Sequence, residues 1–257
     1  MSSALESIVA GVLEDVAARQ IPIAEIKKLA SKASLPRDAY AALNKSGTQI
    51  IAEIKRASPS KGALAPILDP VALAQTYENA GAAIISVLTE ERKFGGKSED
   101  LVLVRESVKI PVLRKDFIVT EFQVYETRAL GADLMLLIVA ALSDAQMKDY
   151  YTLATDLGMH VLIEVHDESE IERALKISPK IIGVNARNLK TLEINERAFE
   201  DLLPLIPREI LRVAESGIST REQVRQAEVS GAKAILVGET LVRAGDPAVA
   251  ISTLLGK

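Results

Sequence analysis

From about residue 49 onward the chain alternates between two hydrophobic patterns. Short, nearly continuous apolar runs predict strands at QIIAEIK (49–55), AIISVLT (83–89), PVLRKD (111–116), LMLLIVA (134–140), HVLIEVH (160–166), KIIGVNA (180–186), LRVAES (211–216) and AILVGE (234–239). Continuous rather than alternating hydrophobicity is how strands buried on both faces of a parallel sheet read. Amphipathic stretches fill the gaps and carry helix punctuation. They predict helices over 69–81, 121–131, 143–158, 167–178, 220–231 and 246–256. Asp69 and Pro70 open the first and Gly81 closes it, while Ser143 opens the third and Gly158 closes it. Strands about 20 to 33 residues apart leave room for strand, loop, helix and return.

Eight such βα units in about 210 residues match a closed (β/α)8 TIM barrel, an α/β fold, in number and size. A doubly wound open sheet of eight strands is the alternative on pattern alone. Residues 1–48 predict two helices, about 3–19 and 22–33, then a turn at Leu35-Pro36-Arg37-Asp38. This segment is too small for a separate domain. The expectation is a single domain over 1–257, with an N-terminal helical extension (1–48) packed over one barrel mouth and the barrel at 49–257.

Composition narrows the class. With 48% hydrophobic and 26% charged residues the chain is ordinary globular protein. A net charge of -4, from 35 acids and 31 bases, argues against a nucleic-acid partner. Cysteine is absent, which removes disulfides, thiolate metal sites and a Cys nucleophile together. No apolar run reaches the roughly 18 residues of a membrane span. Glu6, Glu14 and Asp15 are unlike a signal or transit peptide. The expectation is a soluble cytoplasmic protein with no membrane partner.

In a barrel the chemistry belongs at the C-terminal strand ends. There the sequence puts Glu53 and Lys55, Arg114-Lys115-Asp116, Glu164, Asn185, Glu215-Ser216 and Gly238-Glu239. Glu53 and Lys55 share one side of their strand by the period-2 rule. Buried charges must be paired or functional. Carboxylates and amines converging on one rim would shift one another's pKa values, as acid–base chemistry requires; a salt-bridged rim that only closes the barrel is the plainer alternative. Gly217 and Gly238, in the turns after the seventh and eighth strands, lie where this fold commonly binds phosphate, although either could simply permit a tight turn. The loops KRASPSKGAL (55–64) and TEERKFGGKSED (89–100) add local bases that would attract an anion. His160 and His166 flank the fifth strand without a third ligand at metal-site spacing, so no metal is expected. No Walker or dinucleotide motif follows the first strand, and no cofactor is expected. Lys115 as a Schiff-base lysine stays open.

These residues resemble the indole-3-glycerol-phosphate synthase family of the tryptophan pathway. The resemblance is carried by IIAEIKRASPSKG (50–62), SVLTEERKFGG (86–96), PVLRKDFIV (111–119), QVYETRALGAD (123–133), LIEVHDESE (162–170), GVNARNL (183–189), AESGIS (214–219) and LVGETLVRAGDP (236–247). They occur in family order over nearly the whole length, and the helical extension is also a family feature. The resemblance implies a cofactor-free (β/α)8 barrel that closes an indole ring. Its substrate would be 1-(2-carboxyphenylamino)-1-deoxyribulose 5-phosphate, and its products indole-3-glycerol phosphate, CO2 and water. Relatives are often monomers, and a monomer is expected here.

The resemblance also implies roles. Lys115 would be the general acid and Glu164 the matching base, with Glu53 orienting and sharing proton transfer. Lys55 would hold the substrate carboxylate. Asn185, Glu215 and Ser216 would position substrate hydroxyls and catalytic groups. Lys55, Ser216, Gly217, Gly238 and Glu239 would bind phosphate, the last three through backbone N–H, so that the Glu239 side chain faces away. Ser58 and Arg187 would contact substrate, and Phe94, Phe117 and Leu189 would pack on the anthranilate ring. Against the family pattern, Ala186 stands where a second polar residue is common, and Glu239 where some relatives have Ser. The alternatives are a sugar-phosphate isomerase, a Schiff-base aldolase and a non-catalytic barrel.

Overall fold

The computed structural model describes residues 3–64 and 66–257, so the first two residues of the expected extension lie outside the described residues. Among these, eight parallel strands close on themselves: β1 (Gln49–Ile54), β2 (Ile84–Leu88), β3 (Val112–Lys115), β4 (Leu134–Ile138), β5 (His160–Val165), β6 (Ile181–Asn185), β7 (Leu211–Glu215) and β8 (Ala234–Val237). Each pairs with its chain neighbour, and β8 pairs with β1, from Gln49 opposite Ala234 to Ala52 opposite Val237. The open-sheet alternative is thereby excluded. Helices α4 (Pro70–Asn79), α5 (Ser98–Ser107), α6 (Glu121–Ala129), α7 (Asp144–Asp156), α8 (Glu168–Leu175), α9 (Ala198–Leu202), α10 (Arg221–Val229), α11 (Glu239–Arg243) and α12 (Pro247–Leu255) follow the strands. α1 (Ala4–Arg19), α2 (Ile23–Lys32) and α3 (Ala39–Leu43) form the extension.

The punctuation works as the residues suggest. The Asp69 carboxylate accepts from the Ala72 N–H at 2.9 Å, and Pro70 is the first residue of α4. Ser143 and Gln146 cap α7 reciprocally. Gly81, Gly131 and Gly158 take positive φ just past their helices.

Several strand ends are shorter than the apolar runs. β3 stops at Lys115 because the Asp116 carboxylate turns back to accept the Phe117 N–H at 2.8 Å. After β4, Val139–Ala141 form a single 3₁₀ turn, and after β8, Glu239 already begins α11. Helix α5 begins inside the predicted 89–100 loop and runs past it, and α9 lies in a stretch with no predicted element; α9 has 5 residues, too few to show a period. The loop after β1 folds into a small hairpin, Ala57–Ser58 against Gly62–Ala63.

The extension is not confined to one mouth. Ile8 of α1 lines the cleft at the C-terminal ends of the strands. Asp38, beyond α2, lies 3.1 Å from His160 at the opposite end of β5. The segment therefore descends the barrel wall. Arginines hold it there: Arg19 pairs with Glu126 of α6 at 2.7 Å, Arg92 pairs with Glu14 and Asp15, and Arg128 donates to the Ala33 and Ser34 carbonyls.

Arg114 corrects one expectation. It alternates with Lys115 along β3 and so faces outward, away from the rim, fully buried beneath α6. Its Nε donates to Thr89 Oγ1 (3.1 Å), Nη1 to Thr127 Oγ1 (3.1 Å), and Nη2 to Asp116 Oδ2 (3.1 Å) and Glu126 Oε2 (2.9 Å). Burial alone would raise the Glu126 carboxyl; Arg114 and Arg19 outweigh it and hold it below the ordinary range. Arg114→Met leaves two carboxylates without their buried cation and is expected to cost about 3–5 kcal/mol in urea unfolding. Because the Glu126 pKa is depressed in the fold, the stability it adds is present above the ordinary carboxyl range and fades as pH falls through the depressed value. A loss under about 1 kcal/mol would show that the network does not stabilise the fold.

Candidate active site

The C-terminal strand ends enclose a cleft of about 460 Å³. Every residue to which the resemblance assigns a role lines it, while Arg114 does not: Glu53, Lys55 and Ser58 from β1 and its loop, Phe94 after β2, Lys115 and Phe117, Glu164, Asn185 with Arg187 and Leu189, Glu215-Ser216-Gly217, and Gly238-Glu239. Ile8, Lys61, Asp116 and Arg243 also line it. The last lies on the helix after β8 and pairs with Glu239 at 3.2 Å, so that carboxylate is engaged along its own helix.

The centre is a cluster of alternating charge. Lys115 Nζ lies 3.2 Å from Glu164 Oε2 and 3.8 Å from Glu215 Oε2. Lys55 Nζ lies 2.9 Å from Glu53 Oε1, as their shared side requires. Burial by itself would lower the Lys115 amine, but Glu164, Glu215 and Glu53 outweigh it and hold the ammonium above its usual range. Burial would raise Glu164; Lys115 and His166 overcome that and hold it well below the usual carboxylate range. Glu215 is pushed upward, first by burial and then by the Glu164 charge. Neither of its oxygens has a hydrogen-bond partner among the described residues. Asn185 Oδ1 accepts from the Arg187 N–H at 2.9 Å, which turns its NH₂ toward Glu164.

Two glycines make room for this. A Cβ on Gly183 would stand 2.0 Å from Glu215 Oε1, and one on Gly238 would stand 2.6 Å from Glu53 Oε1. After β7, Ser216 and Gly217 both take left-handed backbone, with φ of 68° and 74°. For Ser216 this conformation costs about 1–2 kcal/mol, the kind of strain that gathers at functional turns. One wall is apolar: the Phe94 and Phe117 rings lie 6.1 Å apart at 39°, with Leu189 also on the cleft.

The arrangement offers a charged proton donor, an ionised acceptor beside it, a carboxyl that shares their field, and an apolar wall. Fold and site together define a (β/α)8 barrel with a charged cleft at the C-terminal ends of its strands. A family model described as Indole-3-glycerol phosphate synthase matches residues 5–254. "Indole-3-glycerol phosphate synthase 1" of Streptomyces coelicolor is 52% identical over 255 residues, covering 98% of this chain and 95% of its own. The Mycobacterium leprae and Micrococcus luteus proteins of the same name are 50% and 49% identical, with 94% and 96% of their lengths covered. The chain belongs to the indole-3-glycerol phosphate synthase family. Among solved structures, 3-hexulose-6-phosphate synthase of Salmonella typhimurium superposes with a TM-score of 0.64 over 81% of this chain and 97% of its own; at 14% identity it shares the fold.

Two expectations follow from the geometry. Gly183→Ala should cost about 1–3 kcal/mol by overpacking, and adding Glu215→Ala should restore most of that loss in a double-mutant cycle. Additive losses would mean that the carboxylate does not occupy the space. Glu215→Gln should stabilise the protein as pH rises. The raised native pKa means that wild type loses stability from the ordinary carboxyl range up through the raised value. An amide does not titrate, so the gap between variant and wild type should widen across that window in thermal melts. A constant gap would show that Glu215 titrates normally.

Proposed function

We propose that the cleft converts 1-(2-carboxyphenylamino)-1-deoxyribulose 5-phosphate into indole-3-glycerol phosphate, CO2 and water, by general acid–base catalysis. The observation that carries this reading is the Lys115 ammonium held against Glu164 and Glu215. Ring closure needs a proton on the ketone oxygen as the aromatic carbon bonds to the carbonyl carbon. Loss of CO2 then leaves a hydroxyl that must depart as water, so one further proton is delivered and one is removed. A lysine kept charged supplies the acid, and Glu164 the base. Glu53, paired with Lys55, orients the site and shares in proton transfer.

The substrate divides as the cleft does. Its carboxylate goes to Lys55 and its ring to Phe94, Phe117 and Leu189. Its hydroxyls go to Asn185, Glu215 and Ser216. Its phosphate goes to the turns after β7 and β8, through the backbone N–H groups of Gly217, Gly238 and Glu239, with Lys55 and Ser216 adding contacts. Ser58 and Arg187 contact the substrate from the loops after β1 and β6. No step calls on a cofactor or metal. A Schiff-base aldolase would need Lys115 as a neutral nucleophile, and its carboxylate neighbours oppose that state. We further read the protein as a cytoplasmic monomer of one domain; among the described residues no helix is long and apolar enough to cross a membrane.

The test is product fluorescence. The chain has no Trp and 5 Tyr, so indole emission stands on a low background. Wild type is expected to turn the substrate over, and Lys115→Ala to lose at least about 10²-fold in kcat/KM. No emission from folded wild type would overturn the reaction. Borohydride trapping of a substrate imine on Lys115 would favour the aldolase instead.

A further inference from the structure

His166 is the first residue past β5, two positions after Glu164 and therefore on the same side of the strand. Its ring is wedged between two carboxylates. Nε2 lies 3.3 Å from Glu164 Oε1, and Nδ1 lies 3.0 Å from Glu170 Oε2. The His166 backbone N–H donates to that same Glu170 oxygen at 2.8 Å, so Glu170 grips the residue twice. The side chain is 10% exposed and Glu170 12%. A neutral imidazole has one nitrogen with a bare lone pair. Nδ1 is hydrogen-bonded to Glu170, whereas Nε2 meets Glu164 by proximity of charge and has no hydrogen-bond partner among the described residues. A neutral ring would leave a lone pair close to one buried carboxylate, and the doubly protonated ring puts a positive charge beside both.

The consequence falls on Glu164. Its Oε2 faces the Lys115 ammonium and its Oε1 faces His166, so each oxygen has its own cation. The titratable groups around the ring are Glu164 on its own strand, Glu170 of α8, and Asp167 at the head of α8, with Lys115 of β3 and Glu215 of β7 beyond Glu164. Burial would lower the imidazolium pKa, but Glu164 and Glu170 prevail and push it up to about 10.

We propose that His166 is a positioning residue: clamped as an imidazolium between Glu164 and Glu170, it orients the Glu164 carboxylate against Lys115 and keeps it ionised. This rests on the reading of Glu164 as the base. The geometry gives Glu170 a part as well, since it fixes the ring from behind.

Nitrogen NMR of imidazole-labelled wild type tests the clamp without turnover. A doubly protonated ring at pH values above the ordinary histidine range is expected; a neutral ring there overturns the proposal. Turnover tests the consequence. His166→Gln is expected to lower kcat about 10- to 100-fold, the size of effect commonly seen when an outer supporting group is lost, with KM little changed. The acidic limb of the kcat–pH profile should move to higher pH, because a carboxylate deprived of a neighbouring cation binds its proton more tightly. Glu170→Gln should move the limb the same way by less, and keeps the test alive if His166→Gln does not fold. A stationary limb in both variants, or a loss confined to KM, overturns the proposal. Glu164→Gln separates the two readings: full activity there rejects Glu164 as the base, whatever the ring's protonation.

Discussion

A carboxylate buried beside a second carboxyl stays ionised only if a cation stands against it. In this barrel that cation is Lys115, within 3.2 Å of Glu164 and 3.8 Å of Glu215. At an effective dielectric near 20, opposite charges at the shorter distance attract by about 5 kcal/mol, enough to offset a large part of the cost of dehydrating them. The surrounding architecture serves that contact. β6 gives up a side chain at Gly183 so that the Glu215 carboxyl can lie across it, and β8 gives up one at Gly238 for Glu53. Asn185 is turned by the Arg187 N–H so that its amide faces Glu164. Glu215, with neither oxygen hydrogen-bonded, is the member of the cluster whose charge is least supported.

β3 carries both the chemistry and its anchorage, separated by one residue. Lys115 projects into the cleft, while the fully buried Arg114 projects outward into a net with Thr89, Asp116, Thr127 and the partly buried Glu126. Through Glu126 that net reaches Arg19 at the end of α1, the helix whose Ile8 lines the cleft. The extension is thus tied to the strand that carries Lys115, the proposed acid. The alternation of a β-strand makes this possible: a residue that would be a costly charge on one face becomes a structural brace on the other.

Much of this was legible in the residues. Continuous apolar runs marked strands with both faces buried, and polar residues at their C-terminal ends could only be at the barrel rim. Glu53 and Lys55 could be assigned to one side by counting in twos. Arg114 could have been separated from Lys115 by the same count, since no inward position was left for it. Other features had no local signature. Ile8 and Arg243 reach the cleft from helices, where side-chain direction depends on how the helix lies against the barrel. The descent of the extension along the wall depends on Arg19 and Arg128 finding partners 94 or more positions away and on Asp38 meeting His160 across the floor. His166 stands out in the sequence only as a histidine at a strand end; the Glu170 carboxylate reaches it through the β5–α8 turn.

The charge cluster also bears on how a base held so far below its usual range can take a proton. A carboxylate with a cation on each oxygen is well placed but weak, and a good general base works near its own pKa. The weakness belongs to the resting state. If Lys115 passes its proton to a substrate oxygen, as proposed, one of the two cations beside Glu164 disappears. The Glu164 proton affinity rises at that moment, without any movement of the chain. Acid and base in this reading are one coupled titration rather than two independent groups: donation by the lysine is what makes the glutamate basic. His166, gripped by Glu170, does not take part in that exchange. It keeps the carboxylate aligned while its strength changes, which a neutral or freely rotating ring could not do.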